Sequence, residues 1–217
     1  MRGASETKPK MARIVLLFLA LIALGTGLNH AESGTENSKQ AGGVEKRAGG
    51  AEKSVTTHTL RIGKKTLKYT ATAGYMPLAE ENGKTKAKIF YISYEKQGVE
   101  KEERPVTFCF NGGPGASSAW LHLGALGPKK IEFPEDGTVL PENPRLADNE
   151  QTWLWFTDLV FVDPVGTGYS HTVEGTNPDE YWSMRGGIES VAEFIRLYMR
   201  RNGRWLSPKY VAGESYG

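Results

Sequence analysis

Residues 209–217 read KYVAGESYG. Tyr210, Val211 and Ala212 form a short apolar strand that runs directly into the spacing G-x-S-x-G at residues 213–217. A strand entering such a motif predicts a sharp turn that holds the serine hydroxyl clear of the sheet, facing substrate. The turn is so tight that the residues two before and two after the serine must be small, and Gly213 and Gly217 meet that need. In a chain with 26 glycines the bare spacing is weak; the strand ahead of it gives it weight. Ser215 is therefore the candidate nucleophile.

A serine that attacks a carbonyl needs donors for the oxyanion that forms. One is the backbone N–H of the following residue, Tyr216, and the other usually comes from a glycine-rich loop after an earlier strand. NGGPGASS (residues 111–118) follows the apolar strand PVTFCFN (residues 105–111) and fits that role. A plain Gly-Pro turn is the simpler alternative. A phosphate cradle is disfavoured, because neither a Lys-Ser/Thr pair nor a third glycine at the right interval follows. GTGY (residues 166–169) fails the dinucleotide fingerprint in the same way, since His171 stands where the third glycine belongs.

Further from the elbow, alternation around GKK predicts an antiparallel hairpin beginning near Thr59, with Leu60, Ile62, Leu67, Tyr69 and Ala71 on one face. KIFYISY (residues 88–94) is a further strand, and EKQGVEKEER (residues 95–104) is the charged turn that follows it. DLVFVD (residues 158–163) is almost uniformly apolar, as for a strand covered on both faces. Ile188, Val191, Ala192, Ile195, Tyr198 and Met199 recur at helical spacing over residues 185–202. Strand, loop, strand, helix, strand is the order of an α/β protein with a largely parallel sheet.

The start of the chain reads differently. Basic residues precede IVLLFLALIAL (residues 14–24), a run that suits a signal-peptide core and is shorter than the roughly 20 residues needed to span a bilayer. Residues 1–31 are thus expected to be a signal peptide, with export to a periplasmic or extracellular location and no membrane anchor after cleavage. Residues 32–57 are poor in large apolar side chains and contain the imperfect repeat AGGVEKR, AGGAEKS, which predicts a flexible linker. The domain proper is expected over residues 58–217. The chain has formal charge +2, but Arg2, Lys8, Lys10 and Arg13 against Glu6 account for +3 of it, leaving −1 from residue 32 onward. That gives no concentrated positive face for nucleic acid. Cys109, the one cysteine, lies within an apolar strand and is expected to be buried and inert.

Taken in order, NGGPGASS, DLVFVDPVGTGYS with Trp153 just upstream, and GESYG resemble the serine carboxypeptidase family, peptidases of the α/β-hydrolase fold; the likeness covers residues 59–217. The resemblance implies acyl-enzyme chemistry on Ser215 without metal or cofactor, an oxyanion hole of the Gly113 and Tyr216 amides, and peptide substrates with a free C-terminus. It further implies that Asn111, Gly112 and Glu214 bind the substrate's terminal carboxylate. Two carboxylates approach closely only when they share a proton, which favours acidic conditions.

The chain departs from the family pattern at Cys109, where well-studied members have Trp, and at Ala125, where some have Glu. Those departures leave open a carboxypeptidase-like acyltransferase or esterase, and the lack of a triad acid and base after Ser215 in this sequence leaves open a non-catalytic secreted paralogue. In this fold the triad runs in the order Ser, Asp or Glu, His. His30, His58, His122 and His171 all precede Ser215. The resemblance therefore implies that the fold is cut after the elbow, that the acid and base lie beyond Gly217, and that these residues alone are inactive. A convergent triad through His122 or His171 is the remaining alternative.

Overall fold

The computed structural model describes residues 53–134 and 144–217. The expected signal peptide and most of the expected linker lie outside the described residues. Residues 53–132 and 144–217 belong to one compact unit. Its centre is a mixed seven-stranded sheet with few helices, an α/β arrangement.

Three long strands, β1 (Lys53–Ile62), β2 (Lys65–Ala79) and β3 (Thr85–Lys96), form an antiparallel meander. β1 turns into β2 at Gly63, whose φ of 58° is left-handed and easy only for glycine. β1 starts at Lys53, inside the stretch whose composition predicts a linker. Its first residues are exposed on both faces, but β2 offers a ladder of partners from Lys53↔Gly74 onward. Backbone pairing thus orders a segment whose one apolar side chain, Val55, stays exposed.

Beyond β3 lie β7 (Asp158–Val162), β4 (Val106–Phe110) and β9 (Lys209–Gly213), in the order β3-β7-β4-β9. β4 is parallel to both neighbours, with Phe108 opposite Val160 on one side and Val211 on the other. Two small pairs complete the strands: β5 (Lys129–Ile131) with β6 (Leu146–Asp148), and β8 (His171–Thr172) with β3. The helices are α1 (Ala119–Leu121), which runs into a π-turn at His122–Leu126, α2 (Asp179–Trp182) and α3 (Met184–Arg201).

Alternation along the central strands splits the core in two. Val106, Phe108 and Phe110 of β4, with Val160 and Val162 of β7, face α3 and pack on Phe194, Tyr198 and Met199. Cys109 of β4, with Leu159 and Phe161 of β7, faces the other way and packs with Leu60, Leu67, Tyr69 and Tyr94 of the meander. The uniform hydrophobicity of β4 and β7 follows from this double coverage. Ser183 caps α3 by accepting from the Gly186 amide at 3.0 Å, and Asn202 closes it.

At the end of the sheet where β7 begins, Asp158 is buried between two arginines. Its Oδ1 accepts from Arg104 Nε at 2.7 Å, and its Oδ2 from Arg204 Nη1 at 2.5 Å. Lys96 N also donates to Oδ1 at 2.9 Å. Other guanidinium donors go to the carbonyls of Leu154, Arg104 and Pro105 and to the Ser207 hydroxyl. One carboxylate therefore ties together β3, the loop before β4, β7 and the loop before β9. Removing one partner of a buried charge cluster strands the others. Asp158→Asn is expected to lower the free energy of unfolding by about 3–5 kcal/mol, read from urea denaturation midpoints.

Candidate active site

β4 lies between β7 and β9, so the chain leaves it in one direction and returns on its other side. The loops after β4 and after β9 consequently meet above the carboxyl ends of the strands, where α/β proteins bind ligands. The loop after β4 is NGGPGASS and the loop after β9 is GESYG. Parallel pairing of Phe110 with Gly213, continued by a bond from Glu214 N to Phe110 O at 3.1 Å, carries the alignment into the turn.

The turn has the strained form that the spacing predicts. Ser215 has φ of 59°, the only non-glycine residue with positive φ among the described residues, and it is exposed. An L-residue with a side chain pays about 1–2 kcal/mol for that conformation. Gly217 N donates to Glu214 O at 3.0 Å, closing the turn. The space leaves no room for larger flanking residues: a Cβ on Gly213 would meet Gly217 O, and one on Gly217 would meet Phe110 O.

The glycine loop sits directly against this turn. A Cβ on Gly112 would fall on the amide nitrogen of Tyr216 and lie 2.6 Å from Glu214 O and 2.8 Å from Ser215 Cβ. Gly113 follows with φ of 128°, exposed to solvent. Asn111 is buried and oriented from both sides, with Oδ1 accepting from Leu121 N at 2.9 Å and Nδ2 donating to Glu214 Oε2 at 3.3 Å. The six residues singled out from the sequence, Asn111, Gly112, Gly113, Glu214, Ser215 and Tyr216, are thus brought together from segments about a hundred residues apart.

His30 lies outside the described residues, and the other three histidines are engaged elsewhere. His122 is buried; its Nε2 and the Tyr94 hydroxyl are 2.6 Å apart, and its ring packs on Phe161 with centroids 4.6 Å apart. Burial pushes its pKa down from 6.5 to about 4. His171 is exposed, with Nδ1 3.0 Å from the Tyr169 carbonyl, and His58 stacks on Tyr69. None of these hydrogen-bonds Ser215 among the described residues, so the convergent triad finds no support. Cys109 is fully buried in the second core layer, where burial pushes its thiol up to about 12, consistent with an inert group. Ala125 packs beside the same layer.

Residues that the sequence reading passed over also shape the site. Asp163, Ser118 and Ser170 are buried polar groups that connect the glycine loop, β7 and the GTGYS turn. The only trace of them in the sequence is an Asp at each end of DLVFVD.

This is an α/β sheet bearing a strained serine turn beneath a glycine-rich loop. The family model for serine carboxypeptidases matches residues 62–217, most of the chain. Among curated relatives, serine carboxypeptidase-like 49 of Arabidopsis thaliana is 32% identical over 146 residues, covering 66% of this chain and 25% of that protein. Serine carboxypeptidase-like 13 of the same plant is 29% identical over 153 residues, covering 69% of this chain and 33% of its own length. Pheromone-processing carboxypeptidase kex1 of Aspergillus niger is 32% identical over 151 residues, covering 66% of this chain and 21% of its own. The chain belongs to the serine carboxypeptidase family. It spans about a fifth to a third of the length of these relatives.

Two outcomes are expected from the site's geometry. Ser215→Gly removes the cost of a side chain at positive φ and raises stability by about 1 kcal/mol, whereas Ser215→Ala does not; chemical denaturation of both variants checks this. His122 stays neutral in the native state while the unfolded chain takes up a proton below pH 6.5. Stability therefore falls as pH drops from 6.5 to about 4, then levels, a loss on the order of 3 kcal/mol. His122→Gln, which keeps a partner for Tyr94, is expected to flatten that window in urea titrations at several pH values.

Proposed function

We propose that the protein carrying this chain is an exported serine-type carboxypeptidase that releases C-terminal residues from peptides through an acyl-enzyme on Ser215. The observation that carries the reading is the seat of Gly112 on the Tyr216 amide and Ser215 Cβ, which puts a glycine-loop backbone beside an exposed serine at positive φ. Export rests on the apolar run at residues 14–24 after a basic start.

In this reading Ser215 Oγ attacks the scissile carbonyl carbon and its proton passes to a general base. The carbonyl oxygen becomes an oxyanion that accepts hydrogen bonds from the N–H groups of Gly113 and Tyr216. Collapse breaks the C–N bond, the leaving amine takes the proton back, and water then hydrolyses the ester by the same path. Asn111, Gly112 and Glu214 hold the terminal carboxylate, with Glu214 sharing a proton with it. The Asn111 to Glu214 contact supports that grouping. The described residues supply no base to Ser215, so the base and its acid partner must come from other residues.

Purified protein at its natural length is expected to take a fluorophosphonate label on Ser215 and to lose labelling in Ser215→Ala. A polypeptide restricted to residues 53–217 is expected to label at least about 10³-fold more slowly, because loss of the base costs up to about 10⁶-fold in the subtilisin case. No label on Ser215 in the natural-length protein would refute the assignment.

The departures at Cys109 and Ala125 favour a second reading, an acyltransferase or esterase that keeps the elbow and changes the acceptor. Peptides with a free and an amidated C-terminus separate the two: equal cleavage points away from a site that reads a terminal carboxylate.

A further inference from the structure

We propose that Asp163 is a positioning residue for Ser215 chemistry, acting through a clamp that seats the glycine loop on the elbow. The proposal rests on the carboxypeptidase reading above and adds to it a residue that does not touch the reacting atoms.

Asp163 follows the last residue of β7 and is buried. Its two carboxylate oxygens serve two different loops. Oδ1 accepts from Ser118 N, at the end of the glycine loop, at 2.9 Å. Oδ2 faces Tyr169 N of the GTGYS turn at 3.4 Å. The main chain of Asp163 is held as well: its N–H donates to Phe90 O at 3.1 Å, and its carbonyl accepts from Ser170 Oγ at 2.6 Å. Ser170 Oγ in turn accepts from Phe90 N at 2.7 Å. The carboxylate is therefore a fixed point relative to β3 and β7.

Ser118 carries that fixity into the glycine loop. Its hydroxyl donates to Val162 O and also lies 3.2 Å from Cys109 O, bridging the carboxyl ends of β7 and β4. The loop is thus anchored at one end by β4 itself and at the other by Ser118 on Asp163. Between those anchors lie Gly112, in contact with the elbow, and Gly113, the proposed oxyanion donor. On the opposite side of the carboxylate the fit requires glycine, since a Cβ on Gly168 would strike Asp163 Oδ2 and lie 2.9 Å from Ser117 Cβ.

A buried carboxylate with no cationic partner among the described residues is an expensive way to join two loops. Burial pushes the Asp163 carboxyl up from its ordinary value, and the Ser118 and Tyr169 amides pull it back only in part. An asparagine would fill the same volume at lower cost, but its Nδ2 would confront one of the two amides, donor against donor. The carboxylate suits a place where two N–H groups from separate loops must converge on one side chain. Because oxyanion donors act only when held in place before charge develops, the effect should fall on the chemical step more than on substrate binding.

The test is steady-state hydrolysis of a free-acid peptide, with fluorophosphonate labelling, by the natural-length protein and its Asp163→Asn variant. The expected result is a kcat lower by about 10²-fold, with KM within about threefold and a matching fall in labelling rate. Unchanged kcat, or a loss carried wholly by KM, would overturn the proposal. If Asp163→Asn does not fold, Ser118→Ala, which deletes the hydroxyl bridge and keeps the amide on Asp163, is expected to lower kcat about tenfold; unchanged kcat there overturns it too. Wild-type protein that fails to label at Ser215 marks failure of the underlying peptidase reading instead.

Discussion

The parallel pairing of β4 with β7 on one side and β9 on the other is the constraint from which the rest of this structure follows. β4, parallel to both neighbours, and β7, parallel to β4 and antiparallel to β3, are covered on both faces, so both are apolar at almost every position. The carboxyl end of β4 is also where the connections to its two neighbours part, the place at which α/β sheets bind ligands. Both motif-bearing loops rise from that end. The register that sets Phe110 opposite Gly213 therefore sets the glycine loop opposite the elbow.

The two ends of this parallel unit are held by different chemistry. At the end where β7 starts, a single carboxylate bridges two buried arginines and ties four segments together, and no buried side-chain polar atom among the described residues lacks a partner. At the other end, hydrogen bonds to main-chain groups dominate, from Asp163, Ser118 and Ser170. The charged cluster fixes the strands, while the neutral-backbone contacts fix the loops above them. The division fits the site's needs, since oxyanion stabilisation calls for amides held in place before charge develops.

Close backbone approach explains the glycines better than flexibility does. A Cβ on Gly112 or Gly217 would strike main-chain atoms of the facing segment, and one on Gly213 would strike the Gly217 carbonyl of its own turn. The turn thereby forces Ser215 into a left-handed conformation and exposes its hydroxyl. Cys109 shows the complementary case: its side chain points into the second core layer with Leu159 and Phe161, and its departure from the family pattern is absorbed as packing.

Local pattern alone determined much of this protein. Alternation and apolar runs marked β2, β3, β4, β7 and β9, helical spacing marked α3, and the strand ahead of GESYG marked the tight turn at Ser215, because each of these signals lies within one turn or one strand of chain. The start of β1 was invisible, since Lys53 to Thr57 are ordered by a backbone ladder and not by side chains. Arg104 read as part of a charged turn, and Asp158, Asp163 and Arg204 carried no distinctive local pattern. Their burial depends on partners some 45 to 100 residues away, as in Arg204 with Asp158 and Ser118 with Asp163. A residue's own sequence neighbourhood reports its period and its turn chemistry. Which distant group will neutralise a buried charge, and which loop a carboxylate will hold, is decided only when the strands find their order in the sheet.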